Sequence, residues 1–212
     1  MERPQTRGEE IASASAHGAG ILFCLIAFPF MIVRALHYCP SSLVAAVSIF
    51  GFGMLMVYAS STFMHITRNK MVEAALERMD HISIFILIAG TYTPIVIKYT
   101  NASTAKMFLL VMWSLVAIGI ILKVLFFGKY KLLSLLSYIL LGLMLVFIAH
   151  PLLHNMPNTV LWLMLSGIMA YLTGVIFFLW RKLSYSHAIW HVFVLAGSVT
   201  HFVAVYKGLS TV

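Results

Sequence analysis

Residues 184–202 read SYSHAIWHVFVLAGSVTHF, a run apolar enough for lipid that nevertheless carries His187, His191 and His201. Burying an imidazole in hydrocarbon is unfavourable unless a partner satisfies it. Either the histidines face a polar interior or the segment does not lie in a membrane. Composition decides between the two. Of 212 residues, 62% are hydrophobic and only 9% charged, whereas a soluble domain has roughly a quarter of its residues charged. Such a chain cannot cover its own surface in water, so the segment is read as a membrane helix and the chain as an all-α, polytopic membrane protein. The formal net charge of +8 then points to anchoring at membrane boundaries rather than to nucleic acid, since no Lys/Arg-rich run forms a polyanion-binding tail.

Working outward from this segment, seven apolar stretches come near the ~20 residues that a crossing needs. They run from about Gly18 to Leu36, Ser42 to about Met64, Ile82 to Ile97, Met107 to Phe127, Leu132 to Leu153, Val160 to Trp180 and Ala188 to Tyr206. The third and seventh are long enough only if their polar starts sit at or just inside the interface, which places their histidines near one membrane surface. The connections, such as TRNKMVEAALERMD, YTNASTAK and NMPNT, are polar, and no linker or internal repeat divides the chain. A single seven-helix transmembrane domain over residues 1–212 is expected, with a short polar segment at about 1–16. That segment lacks the basic head, short apolar core and cleavage site of a signal peptide, so the first span is expected to be the retained targeting signal.

Basic residues set the orientation. Arg3, Arg7, Arg68, Lys70, Arg78, Lys123, Lys129, Lys131, Arg181 and Lys182 fall on the N-terminal side, against Arg34, Lys98, Lys106 and Lys207 on the other. The excess predicts a cytoplasmic N-terminus and an outer C-terminus. Glu2, Glu9, Glu10, Glu73, Glu77 and Asp80 share the cytoplasmic side. Cys24 and Cys39, about 22 Å apart if the helix is continuous, are too distant for a disulfide and are expected as free thiols.

With this topology the unusual polar residues gather at one depth. SSTFMHI puts His65 at the inner end of the second span with Ser61 one turn deeper, RMDHIS begins the third with Asp80 and His81, and SHAIWH begins the seventh with His187 and His191. His187 and His191, at i and i+4, share a helix face with Cβ atoms roughly 6 Å apart, a spacing that suits two ligands of one ion. Such a pair is weak by itself. A third histidine at matching depth, His65, completes three imidazoles and leaves a fourth position for water, the pattern of an open catalytic zinc site. A carboxylate beside that water orients it, accepts its proton or holds a ligand histidine, and Asp80 is the acid at this level. Ser61 can donate a hydrogen bond to the water or to a substrate oxygen.

Each residue also has a plainer reading. His65 can bond headgroups, Asp80 can cap the third helix or favour its N-terminal dipole, and Ser61 can bond its own backbone. His17, after SASA at a helix start, and His81 are expected in supporting or structural roles, with Glu9 or Glu10 pairing with His17. His201, ten residues or about 15 Å beyond His191, cannot share its metal; it is expected to bond Tyr92 or Thr93 or to line the cavity. His150 and His154 suit the outer interface. AGTYTP, ending at Pro94, is either a kink facing a cavity or ordinary packing by Gly90 and threonine. Trp113, Trp162, Trp180 and Trp190 fit a membrane belt or lipid packing.

GEEIASASAHGAG, Ser61 and His65 in SxxxH, the stretch from Asp80 to Pro94 and the late HxxxH together resemble the hemolysin III family, within the progestin and adipoQ receptor superfamily. The resemblance runs from Glu9 to His201. It implies that His65, His187 and His191 bind Zn²⁺ with Ser61 and Asp80 beside them. The wider group is similar to membrane ceramidases, which implies zinc-dependent hydrolysis of a lipid amide. Three functions follow as expectations: a zinc hydrolase acting on a lipid amide or ester, a signalling or homeostatic membrane protein with structural zinc, and a pore-forming cytolysin. The last fits least, because no span has the repeating polar stripe of an aqueous channel. Membrane lipids are the expected partners, with a lipid substrate in the bundle, and no nucleic acid.

Overall fold

Thr6 starts the first helix with a capping box: its hydroxyl accepts from the Glu9 N–H, and the Glu9 carboxylate returns to the Thr6 backbone N–H. Both ends of the first turn are thereby satisfied. Helix α1 (Arg7–Tyr38) consequently begins eleven residues before the apolar run, and His17 sits three turns inside it rather than at its start. The computed structural model describes residues 5–209; Glu2 and Arg3, which enter the orientation argument, lie outside them.

The remaining elements are α2 (Ser41–Ile66), α3 (Lys70–Tyr99), α4 (Ala102–Leu125), α5 (Lys131–Gly142), a 3₁₀ segment (Met144–Ile148), α6 (Ala149–Asn155), α7 (Asn158–Leu179) and α8 (Ser186–Gly208). Seven segments are long and apolar enough to cross a membrane, and the fifth is Leu132–Asn155, formed by α5, the 3₁₀ segment and α6 together. Among the described residues there is no strand.

Two further segments depart from the sequence reading. Most of TRNKMVEAALERMD was expected as a connection, but α3 begins at Lys70, capped by the Asn69 side chain on the N–H groups of Met71 and Val72. Its Ala, Leu, Glu and Met residues favour helix whether or not lipid surrounds them. Asp80 therefore lies three turns inside α3 and does not cap it. The fifth span was expected to be continuous, and it breaks after Gly142, whose carbonyl accepts the Tyr92 hydroxyl. Pro151 offers no N–H to the Phe147 carbonyl four residues earlier, which fits the tighter 3₁₀ winding of Met144–Ile148 there.

α2 packs most closely on α3 and α1, α8 on α7 and α1, and α3 on α4. The α2–α3 seam is reciprocal. A Cβ on Gly53 would lie 3.1 Å from the Leu87 Cα, and a Cβ on Gly90 would lie 3.1 Å from the Phe50 Cα. Two glycines, one from each helix, bring the backbones together as small residues do in membranes. Gly90 in AGTYTP thus serves packing, and Thr91 and Thr93 return their hydroxyls to the Leu87 and Ala89 carbonyls at 2.7 Å. Gly90→Val is expected to cost about 1–3 kcal/mol by overpacking. A lowered unfolding temperature in detergent checks this, and an unchanged one would refute the seam.

Trp162 and Trp180 face outward, whereas Trp113 turns inward to donate to the Thr93 hydroxyl and Trp190 packs against Phe178. Cys24 and Cys39 are free thiols. His150 and His154 are exposed on α6.

Candidate metal centre

The C-terminal end of α2 and the first turns of α8 bring His65, His187 and His191 together, with one nitrogen from each ring within 4.8 Å of the others. His65 Nε2 lies 3.1 Å from His191 Nε2. The i, i+4 pair on α8 stacks edge-on with ring centroids 4.3 Å apart. Three imidazoles converging in this way form a donor set that could hold a metal ion. The donor chemistry fits a borderline ion such as zinc, since neutral ring nitrogens are its common ligands.

Two further observations support the fit. The His65 Nδ1 lies 2.6 Å from a Glu10 carboxylate oxygen. A carboxylate accepting the Nδ1–H leaves the Nε2 lone pair facing the other two rings, the tautomer that a ligand needs. The His191 Nδ1 is buried with no hydrogen-bond partner among the described residues.

Glu10 was therefore misplaced by the sequence reading. It pairs with His65, and Glu9 goes to Thr6 and to the Tyr185 N–H at 2.8 Å. Neither pairs with His17. That ring is 2% exposed, its two nitrogens have no hydrogen-bond partner among the described residues, and it lies tilted against His191 with centroids 3.7 Å apart. No spacing rule in the sequence links residue 10 to residue 65; only the two helices' approach does.

A cavity of about 730 Å³ runs from the three histidines into the bundle. His17, His65, His187 and His191 line it, as do Asp80 and His81 from α3, Tyr138 from α5 and Tyr171 and Phe178 from α7. Asp80 is half-buried, and its carboxylate faces this space without a hydrogen bond or ion pair among the described residues. Ser61 is fully buried one turn from His65, with its hydroxyl unpartnered among the described residues, so it does not bond its own helix backbone; it is not part of the cavity wall. The His81 Nδ1 bonds its own helix at the Glu77 carbonyl, 2.8 Å away.

His201 explains the remaining histidine of the opening segment. Its Nε2 bonds the Met164 carbonyl at 3.0 Å, not Tyr92 or Thr93, and the ring also borders the cavity. Gly167 permits this approach, because any side chain there would occupy the space of the ring. A backbone partner of this kind is invisible in sequence, although a glycine opposite a buried polar ring is a signal for one.

Seven apolar segments carrying a three-histidine cluster at one end define a multi-pass membrane protein with a potential metal centre. The chain belongs to the Haemolysin-III related family, which matches residues 5–202. It is 37% identical to the Hemolysin-3 homolog of Bacillus subtilis (strain 168) over 197 residues, covering 93% of this chain and 92% of that protein. It is equally 37% identical to Hemolysin-3 of Bacillus cereus, covering 93% and 90%. The monocyte to macrophage differentiation factor of Homo sapiens is 30% identical over 168 residues, 76% of this chain and 69% of that protein. No solved structure matches. The apolar spans and the bacterial relatives together place the chain as a multi-pass protein of the bacterial cell membrane.

Proposed function

We propose that the chain is a zinc-dependent hydrolase of a lipid amide or ester, with its site at the cytoplasmic end of the bundle. The observation that carries this reading is the convergence of three imidazoles on the wall of a large cavity that Asp80 shares. His65, His187 and His191 would hold the ion. Bound there, Zn²⁺ supplies a Lewis acid and makes water acidic enough to attack near neutral pH.

The chain's own residues do the rest. The Asp80 carboxylate takes a proton from the attacking water and returns it to the departing nitrogen or oxygen as the acyl bond breaks. Ser61, one turn from His65 on α2, would support the site as a hydrogen-bond donor once the α2 side chains adjust. The apolar cavity holds the chain of a lipid. Its walls come from α5 on one side and α7 on the other, and these helices pack only weakly on each other, which suits access from the bilayer.

Zinc-loaded protein should therefore release fatty acid from at least one member of a panel of lipid amides and esters, read by mass spectrometry of the products. No release across the panel would count against the hydrolase.

One observation favours a second reading, in which the ion is structural. α2 and α8, which carry the three histidines, each pack on α1 far more than on each other. An ion between them would staple the inner end of the bundle and serve membrane homeostasis or signalling. The lytic activity named in two of the relatives is a third reading, tested by erythrocyte lysis with purified protein.

A further inference from the structure

Consecutive residues in the first turn of α1 reach the two helices that carry the histidines. The Glu10 carboxylate accepts from His65 on α2 at 2.6 Å. The Glu9 carboxylate accepts the Tyr185 N–H at 2.8 Å, two residues before His187, while also closing the capping box at Thr6. Glu9 is 4% exposed, and this burial of an acid is compensated by three donors.

Tyr185 needs such an anchor. It precedes α8 in the left-handed region, with φ 60, and no side chain caps that helix. A bulky residue rarely adopts this conformation without outside support. The Tyr185 ring lies against Gly8, whose Cβ would stand 3.0 Å from the phenol oxygen, so the same turn holds both backbone and ring.

We infer that Glu9 and Glu10 are positioning residues that bring the His65 helix and the HxxxH helix into one metal-binding geometry. Glu10 selects the His65 tautomer with Nε2 free, and Glu9 fixes the start of α8. The inference rests on the metal reading of the three histidines.

The test uses full-length protein in detergent, with zinc affinity measured by chelator competition and the His65 tautomer by ¹⁵N NMR of the metal-free protein. Glu10→Ala should weaken zinc binding about 10–100-fold, the usual effect of losing a carboxylate behind a ligand histidine. It should also convert His65 from the Nδ1–H form towards Nε2–H. Glu10→Gln keeps an acceptor oxygen and should fall between. If either the affinity or the tautomer is unmoved in Glu10→Ala, the role of Glu10 is overturned. The tautomer decides this even if wild type takes up no zinc, an outcome that would sink the metal reading itself.

For Glu9, Thr6→Ala breaks the capping box but spares the contact with Tyr185. Glu9→Ala should shift the visible spectrum of the Co²⁺-loaded protein and weaken its affinity, while Thr6→Ala should do neither. Equal effects in both variants, or none in Glu9→Ala, would show that Glu9 acts only as a cap. With no Co²⁺ uptake by wild type, hydrogen exchange at the start of α8 takes its place: faster exchange in Glu9→Ala alone supports the anchor, and any other pattern overturns it.

Discussion

Purified His191→Ala protein should contain almost no zinc, where the wild type should carry about one ion per chain, the number one three-histidine site can hold. The effect should be this large because His191 is central to the cluster. Its Nε2 lies 3.1 Å from that of His65, its ring meets His187 edge-on, and it is only 2% exposed. Removing it leaves one ligand on each of two helices that do not otherwise pack closely on each other. His65→Ala and His187→Ala should also reduce occupancy sharply, since two imidazoles hold an ion far less well than three. His154→Ala, on the exposed surface of α6, should leave it unchanged. His201→Ala is the more demanding control. That ring borders the same cavity but bonds the Met164 carbonyl, so its loss should reduce stability and spare the metal. Metal analysis by inductively coupled plasma mass spectrometry reads all five variants. Full zinc in the three ligand variants would end the assignment.

The order of these effects reflects what a sequence can and cannot say about such a fold. Hydropathy located the seven crossings because lipid imposes the same demand on every span, namely about 20 residues without charge. Depth then brought His65, His187 and His191 to one level, and the structure brings their rings together. What escaped was everything that hydropathy does not govern. α1 and α3 extend well beyond their apolar cores because capping and helix propensity carry them through polar sequence, and this moved Asp80 from a helix end to a helix interior. The partner of Glu10 was assigned to the neighbouring His17 when it lies 55 residues away across a helix interface. The break in the fifth span follows from Gly142 and Pro151, residues a hydropathy window averages away. Lateral contacts between helices, unlike depth, leave no periodic trace in one sequence.

Asp80 separates catalysis from scaffolding. Asp80→Asn keeps the size of the side chain and removes its negative charge and its capacity to accept a proton. The change should cost the fold little: Asp80 caps no helix, its carboxylate has no hydrogen bond or ion pair among the described residues, and the Ser83 hydroxyl bonds its backbone carbonyl at 2.7 Å rather than its side chain. Zinc content and unfolding temperature should therefore remain near those of wild type. If Asp80 moves the proton of the attacking water, lipid turnover should fall by about 10²-fold or more, the scale for losing a general base. The loss should appear in kcat more than in KM, because the apolar cavity that holds the lipid is untouched. If the ion only joins α2 to α8, the same variant should retain zinc, stability and cellular phenotype alike. A zinc-loaded wild type that releases no fatty acid, together with a fully functional Asp80→Asn strain, would transfer the site from the hydrolase to the structural reading. Turnover that disappears while zinc and fold persist would fix Asp80 as the proton carrier.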